Sequence, residues 1–315
     1  MMWADSRSHL TAVLQALLVT FLWSTSFVLI KWGLEGVPAL TFAGLRYGLA
    51  ALLLAPWVLV NPGTRDILLG LSRADLVRLG MLGIVFYAVT QGAQFLGLSL
   101  LPAVVVTLML CFSPILVATA GGVLLGEKPT LKQWLGLGVF LAGVLVYFLP
   151  VTEQLNALGL AVMAVGVLAN AWGSILGRQV NRSGRLPPVV ITVVSMSVGA
   201  TLLLVTGVAS TGFPALEFRS WLLVGWLAVV NTALAFTLWN HTLRRLTAME
   251  SSIINNTMLI QIALLAWVFL DEPLGARKGL GIVLAALGAA LVQLGTRHSK
   301  PPSNARHVVR KHSAV

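Results

Sequence analysis

Residues 10–30 read LTAVLQALLVTFLWSTSFVLI, a run of 21 positions without a charged side chain. At about 1.5 Å of rise per residue, a helix of this length crosses the roughly 30 Å hydrocarbon core of a bilayer. Arg7 is the single Lys or Arg before it, and the run is longer than the roughly 7–15 apolar residues of a secretory leader. The stretch is therefore expected to be a permanent first span. The rest of the chain has the same character. Of its 315 residues 57% are hydrophobic and 10% charged, with a mean hydropathy of +0.91, which exceeds what a water-soluble core requires. Charge-poor stretches recur at 38–58, 79–126, 133–152, 154–177, 186–216, 220–240, 251–270 and 279–296, and 79–126 is long enough for two spans broken near 99–102. The expectation is an all-α integral membrane protein of ten transmembrane helices.

Charge fixes the expected orientation. Alternating the gaps from a cytoplasmic N-terminus places 16 of the 21 Lys and Arg inside and four outside, with Arg46 within a span. By the positive-inside rule both termini face the cytoplasm. The formal charge of +11 is thus distributed over short gaps rather than gathered on one face, which excludes nucleic acid as a partner. Residues 297–315 read as a basic, disordered cytoplasmic tail beside anionic lipid. The lone cysteine, Cys111, lies in an apolar run, leaving neither a disulfide framework nor a thiolate metal site.

The chain also repeats itself. At an offset of 145, Gly80 falls on Gly225, Leu101 on Leu246, Ala103 on Ala248, Glu127 on Glu272, Gly136 on Gly281 and Gly143 on Gly288; at 149, Trp23 falls on Trp172 and Pro38 on Pro187. These matches define a first repeat over 11–150 and a second over 151–296. A unit of five crossings forces its second copy to enter the membrane from the opposite side, giving two inverted five-helix repeats.

Several residues in this order resemble the EamA branch of the drug/metabolite transporter superfamily. They are Trp23-Ser24-Thr25-Ser26-Phe27, Pro38 with Arg46, Ser113-Pro114-Ile115, and Leu125-Gly126-Glu127 followed by Gly136 and Gly143. A looser second copy comprises Leu270-Asp271-Glu272, Gly281 and Gly288. The resemblance implies a cavity between the halves that opens alternately to each side of the bacterial inner membrane. It further implies secondary transport of an amino acid or related organic solute, with efflux favoured over uptake of sugars or a channel. Pro114 and Arg46 are not repeated, since Leu259 and Ser195 stand opposite them.

Polar groups in lipid are costly unless partnered, so those within spans face the interior, each other or a cavity. The candidate substrate-binding set is Trp23, Tyr87, Gln91, Gln94, Trp172, Trp239, Asn255 and Asn256, with 87, 91 and 94 on one helical face. Trp57, Trp134 and Trp221 read as interfacial anchors. Arg46 is read first as an inter-helix clamp, with binding of a substrate carboxylate as the alternative. Glu127 and Glu272 are expected to accept hydrogen bonds from the start of the following helix and to meet Lys128 or Arg277. Glu250 is the better candidate for coupling, and Pro114, which frees a carbonyl in helix four, for gating. No His-Glu-x-x-His, Gly-x-Ser-x-Gly or other reactive motif supports an enzyme. The expected partners are a small-molecule substrate and membrane lipid, with a homodimer allowed and no cofactor or metal.

Overall fold

The computed structural model describes residues 2–149, 155–262, 265 and 275–295. They form helices and short connections, with no strand among the described residues. Nine helices of this set are long and apolar enough to cross a membrane. In the first repeat these are helix one (Met2–Gly33), helix two (Ala39–Val60), helix three (Arg73–Leu100), helix four (Ala103–Leu110 and Ser113–Leu124) and helix five (Leu131–Phe148). In the second they are helix six (Ala157–Arg182), helix seven (Pro188–Thr211), helix eight (Phe218–Thr242) and helix ten (Ala276–Leu294). Helix nine completes the ten; it begins as Ala248–Asn256 and resumes at 258–262. Its expected remainder lies outside the described residues, as do Asp271, Glu272, Pro273 and the 297–315 tail.

Local chemistry sets the starts. Pro38, Pro102 and Pro187 sit at the N-caps of helices two, four and seven, where a missing N–H leaves no ladder bond unmade. Thr130 and Thr247 form capping boxes with Gln133 and Glu250 at helices five and nine.

Equivalent helices of the two repeats meet one another. Helix five crosses helix ten on glycines from both: a Cβ at Gly136 would lie 2.8 Å from Gly288 O, and one at Gly281 would lie 2.8 Å from Gly143 O. Helix two crosses helix seven where a Cβ on Gly44 would lie 2.6 Å from Leu204 N. Lipid supplies no hydrophobic force between helices, so such close approach, with its van der Waals gain, is what holds them. Helix six packs on helix three through Gly166 against Ala93 and Gly97 against Met163. Helix one packs reciprocally on helix eight, through rings described below. Large apolar side chains such as Leu14, Leu52, Leu168 and Leu287 are turned outward.

Helices three, four, eight and nine depart from regular α-helix, and they do so in pairs. Gly83–Thr90 of helix three and Val229–Leu234 of helix eight are π-helical, and the 145-residue offset superimposes them. Helix four is interrupted at Cys111 and Phe112, and helix nine at Thr257, the position that the same offset pairs with Phe112. Pro114 follows the first break whereas the second has no proline, so proline is not what makes the break. The fold, rather than one residue, imposes it.

Glycine substitution tests the helix five and ten crossing. Gly143→Ala should destabilise the protein by about 1–3 kcal/mol, the cost typical of overpacking, because its Cβ would lie 2.7 Å from Gly281 O. Gly138→Ala, with nothing within 4 Å of its Cβ, should leave the melting temperature in detergent unchanged or slightly raised. Equal behaviour of the two variants would contradict the crossing.

Candidate functional site

The irregular segments surround a cavity shared by both repeats, with a volume of about 80 Å³. Its first-repeat wall includes Trp23, Ser26, Arg46, Tyr47, Gln91 and Gln94; Asn170, Ser174, Phe236, Trp239, Asn255 and Asn256 line it from the second. Thr107, Leu110 and Cys111 approach it from the break in helix four, and Met258 and Leu259 from the break in helix nine. Broken helices at a repeat interface are where inverted-repeat carriers place their solutes.

The aromatic wall is built around Phe236. Its ring centre lies 4.8 Å from that of Trp23 and 5.1 Å from that of Tyr87, while Trp23 and Trp239 are 5.2 Å apart. The Trp23 Nε1–H donates to Asn231 O at 3.0 Å. A π-helical turn leaves a carbonyl outside the regular ladder, and Asn231 O receives a second donor, Arg46 Nη2, at 3.2 Å. Arg46 Nε donates to Thr232 Oγ1 at 2.7 Å, and Thr232 donates in turn to Leu227 O. The Asn231 amide donates to Leu22 O and to Thr25 Oγ1. Helices one and two are thus clamped to the π-helical turn of helix eight. Opposite Arg46 in the repeat, Ser195 spends its hydroxyl on Ile191 O, and the small side chain lets helix seven approach the π-helical turn of helix three at Gly83.

The polar residues of the spans divide into two sets. Asn240 bonds Asn181 and Thr192, and Gln261 bonds Ser24 and Thr20; these join helices. Gln91 accepts from Tyr47 Oη at 2.6 Å and Asn256 donates to Ser252 O of its own helix, yet both line the cavity. Gln94, Asn170 and Asn255 also line it, and among the described residues their side-chain amides find no hydrogen-bond partner. Those three amides are free to meet a solute.

Six of the eight expected substrate-binding residues are brought together here: Trp23, Gln91, Gln94, Trp239, Asn255 and Asn256. Tyr87 is buried behind the wall, against Tyr47 and Phe236. It lies within the π-helical segment, whose wider winding moves position 87 off the face that α-helical spacing would give it. Trp172 does not line the cavity either; it is 44% exposed on the outside of the bundle. At about 100° per residue it lies roughly 200° from Asn170, and the cavity face of helix six belongs to Asn170 and Ser174. Tyr47, Phe236 and Ser26 were not among the expected residues. Their spacing alone does not distinguish them from core, although the first adjoins Arg46 and the last lies within the Trp23–Phe27 motif.

One end of the bundle is tied by carboxylates. Glu127 accepts from Arg178 Nε at 2.8 Å and from Ala248 N, at the start of helix nine, at 2.8 Å. Arg182 lies 3.8 Å away, and Arg178 Nη1 also donates to Leu243 O. The cation partners come from helix six of the other repeat, in place of the expected Lys128. Glu250 is fully buried, closes the capping box on Thr247 and meets His9 Nε2 of helix one at 3.0 Å. Pro114 is buried at the start of the second segment of helix four. Among the described residues no three His, Cys, Asp or Glu gather to hold a metal ion.

Two repeats of membrane-spanning helices enclosing a polar and aromatic cavity at paired helix breaks define a membrane transport protein. The profile of the EamA-like transporter family matches residues 10–149 and 157–294. The chain belongs to that family. Among curated relatives, an uncharacterized inner membrane transporter of Escherichia coli is 24% identical over 87% of this chain and 88% of its own. An S-adenosylmethionine/S-adenosylhomocysteine transporter of Chlamydia trachomatis is 25% identical over 89% and 88%. A "probable amino-acid metabolite efflux pump" of Escherichia coli is 24% identical over 90% and 95%. A solved crystal structure superimposes with a TM-score of 0.74 at 20% identity, covering 91% of this chain and 99% of its own, which shows a shared fold.

The division of polar residues is testable. Asn231→Ala removes two inter-helix bonds and should lower stability by about 1–3 kcal/mol. Asn255→Ala and Gln94→Ala should leave the melting temperature within error while impairing transport; a matching loss of folded protein would assign them to helix joining instead.

Proposed function

We propose that the protein is a secondary transporter exporting a small metabolite, an amino acid or related organic solute, across the bacterial inner membrane by alternating access between its repeats. The observation that carries this reading is the cavity itself. It is formed by both repeats, lined by unpartnered amides and aromatic rings, and has a volume of about 80 Å³. That is below the roughly 300–1,000 Å³ usual for small-molecule sites, so a metabolite enters only when the repeats part. The paired π-helical turns and helix breaks supply the places where helices three, four, eight and nine bend. The efflux direction draws on the name of one relative, and the solute class on the wall's mixture of amides and rings.

With both termini in the cytoplasm, as the distribution of Lys and Arg supports, the Glu127–Arg178 and Glu250–His9 contacts close the cytoplasmic end. Each joins the first repeat to the second, so opening to the cytoplasm requires them to break. Lone surface ion pairs contribute little, but Glu127 and Arg178 are largely shielded, with side chains 16% and 9% exposed, and Glu127 also caps helix nine.

Two measurements test this. Counterflow in proteoliposomes, screened with amino acids, sugars and purine-like solutes with and without a pH gradient, should show saturable exchange; an ion current without exchange would overturn the carrier reading. Cys111, buried on the cavity wall, reports opening. Glu127→Gln should speed its labelling by a small methanethiosulfonate reagent from the cytoplasmic side several-fold, and an unchanged rate would remove Glu127 from the gate. Pro114→Ala, which should leave the break in place, should slow exchange, whereas equal rates would remove Pro114 from gating.

A further inference from the structure

Arg46 carries more than its clamp uses. Arg46 is 3% exposed, it forms part of the cavity wall, and among the described residues it is the only Asp, Glu, Lys or Arg in the lining. Among the described residues no carboxylate pairs with it. A guanidinium has five N–H donors, and here two are used: Nε to Thr232 and one Nη2 N–H to Asn231 O. Those two bonds occupy the Nε–Nη2 side. They leave the outer edge, made of Nη1 and the second Nη2 N–H, which is the fork that grips a carboxylate through two parallel bonds.

A buried cation without a counter-ion is costly, and the clamp alone does not explain why the cost is carried at the cavity wall. Its neutral partners would hold a neutral side chain as well. The ring of Tyr47, whose centre is 5.3 Å from the Arg46 guanidinium carbon, and the carbonyl of Asn231 offset part of the charge. Both groups are neutral, so the net charge stays at one unit, which a solute with one negative charge matches. A dianion would leave an unpaired charge, since no second cation lines the cavity among the described residues. A zwitterion would leave Arg46 in excess and bring an ammonium to a wall that has no carboxylate among the described residues.

We propose that the transported solute is a small organic monocarboxylate, its carboxylate on the outer edge of Arg46 and an apolar or aromatic body against Trp23, Phe236 and Trp239, with Gln94 and Asn255 meeting its remaining polar groups. This assignment rests on the carrier reading above and narrows its solute to the organic anions, setting the zwitterionic amino acids aside.

The test uses the full-length protein in proteoliposomes and probes that differ in charge on one frame: 3-phenylpropionate, 3-phenylpropanamide, phenylalanine and 2-phenylethylamine, each repeated with a branched aliphatic body. Exchange and thermal stabilisation should favour the carboxylates over the amides by about tenfold or more, the range of a charge-assisted pair, with the amines weakest. Arg46→Lys should keep the preference for the anion at reduced affinity, because charge remains without the fork. Arg46→Gln should abolish that preference. Exchange of zwitterions or amines in preference to carboxylates would overturn the proposal and leave the carrier reading intact. Failure of every probe to exchange or to stabilise would overturn the proposal and leave the carrier reading to the wider solute screen. Should Arg46→Gln not insert, the ranking of the four charge types by the wild-type protein still decides.

Discussion

Inside a bilayer there is no water to accept or donate, so each backbone N–H and C=O must find its partner within the protein. The architecture depends on this constraint. It makes the spans helical, and it allows irregular backbone only where a side chain, another helix or a cavity takes over the released groups. The π-helical turn of helix eight shows how that is done. Asn231 O leaves the regular ladder and is met by Trp23 from helix one and Arg46 from helix two. One carbonyl therefore fastens three helices, and the residues that fasten it also form the wall of the cavity. The same bonds hold the helices together and shape the cavity wall.

The two repeats share geometry more closely than they share residues. Their π-helical turns coincide at the 145-residue offset, as do the breaks of helices four and nine, although only helix four has a proline there. Arg46 faces one π-helical turn; Ser195, its counterpart, allows backbone contact with the other. Duplication fixed the frame, and divergence inside it made one side of the cavity cationic. A carrier with an identical pair of walls would present the same chemistry twice. This one presents a guanidinium on one side and free amides on several others.

Glycine has a comparable double use. In helices five and ten, Gly136, Gly143, Gly281 and Gly288 let two backbones touch along a crossing remote from the cavity. In helix seven, Gly199 lets the backbone approach Gly83 O of the π-helical turn, where a Cβ would lie 2.7 Å away. The first contact holds the repeats together. The second packs helix seven against the π-helical turn of helix three.

The sequence by itself determined the solvent, the number of spans, the duplication and most of the polar residues on the cavity wall, because hydropathy, charge asymmetry and repeat spacing are properties of the chain alone. It also located Arg46 as an anomaly. Tertiary structure decided which anomalies face the cavity. Trp172 shares Trp23's place in the repeat but points outward, since Asn170 and Ser174 occupy the inner face of helix six. Tyr87 fits an α-helical face with Gln91 and Gln94, yet π-helical winding sets it behind the wall. Glu127 finds Arg178, 51 positions along the chain, rather than the lysine beside it. Periodicity assigns a face only while winding is regular, and a partner only when it is local. Where helices bend, break and cross, the winding and the partners are set by the packing of the whole bundle.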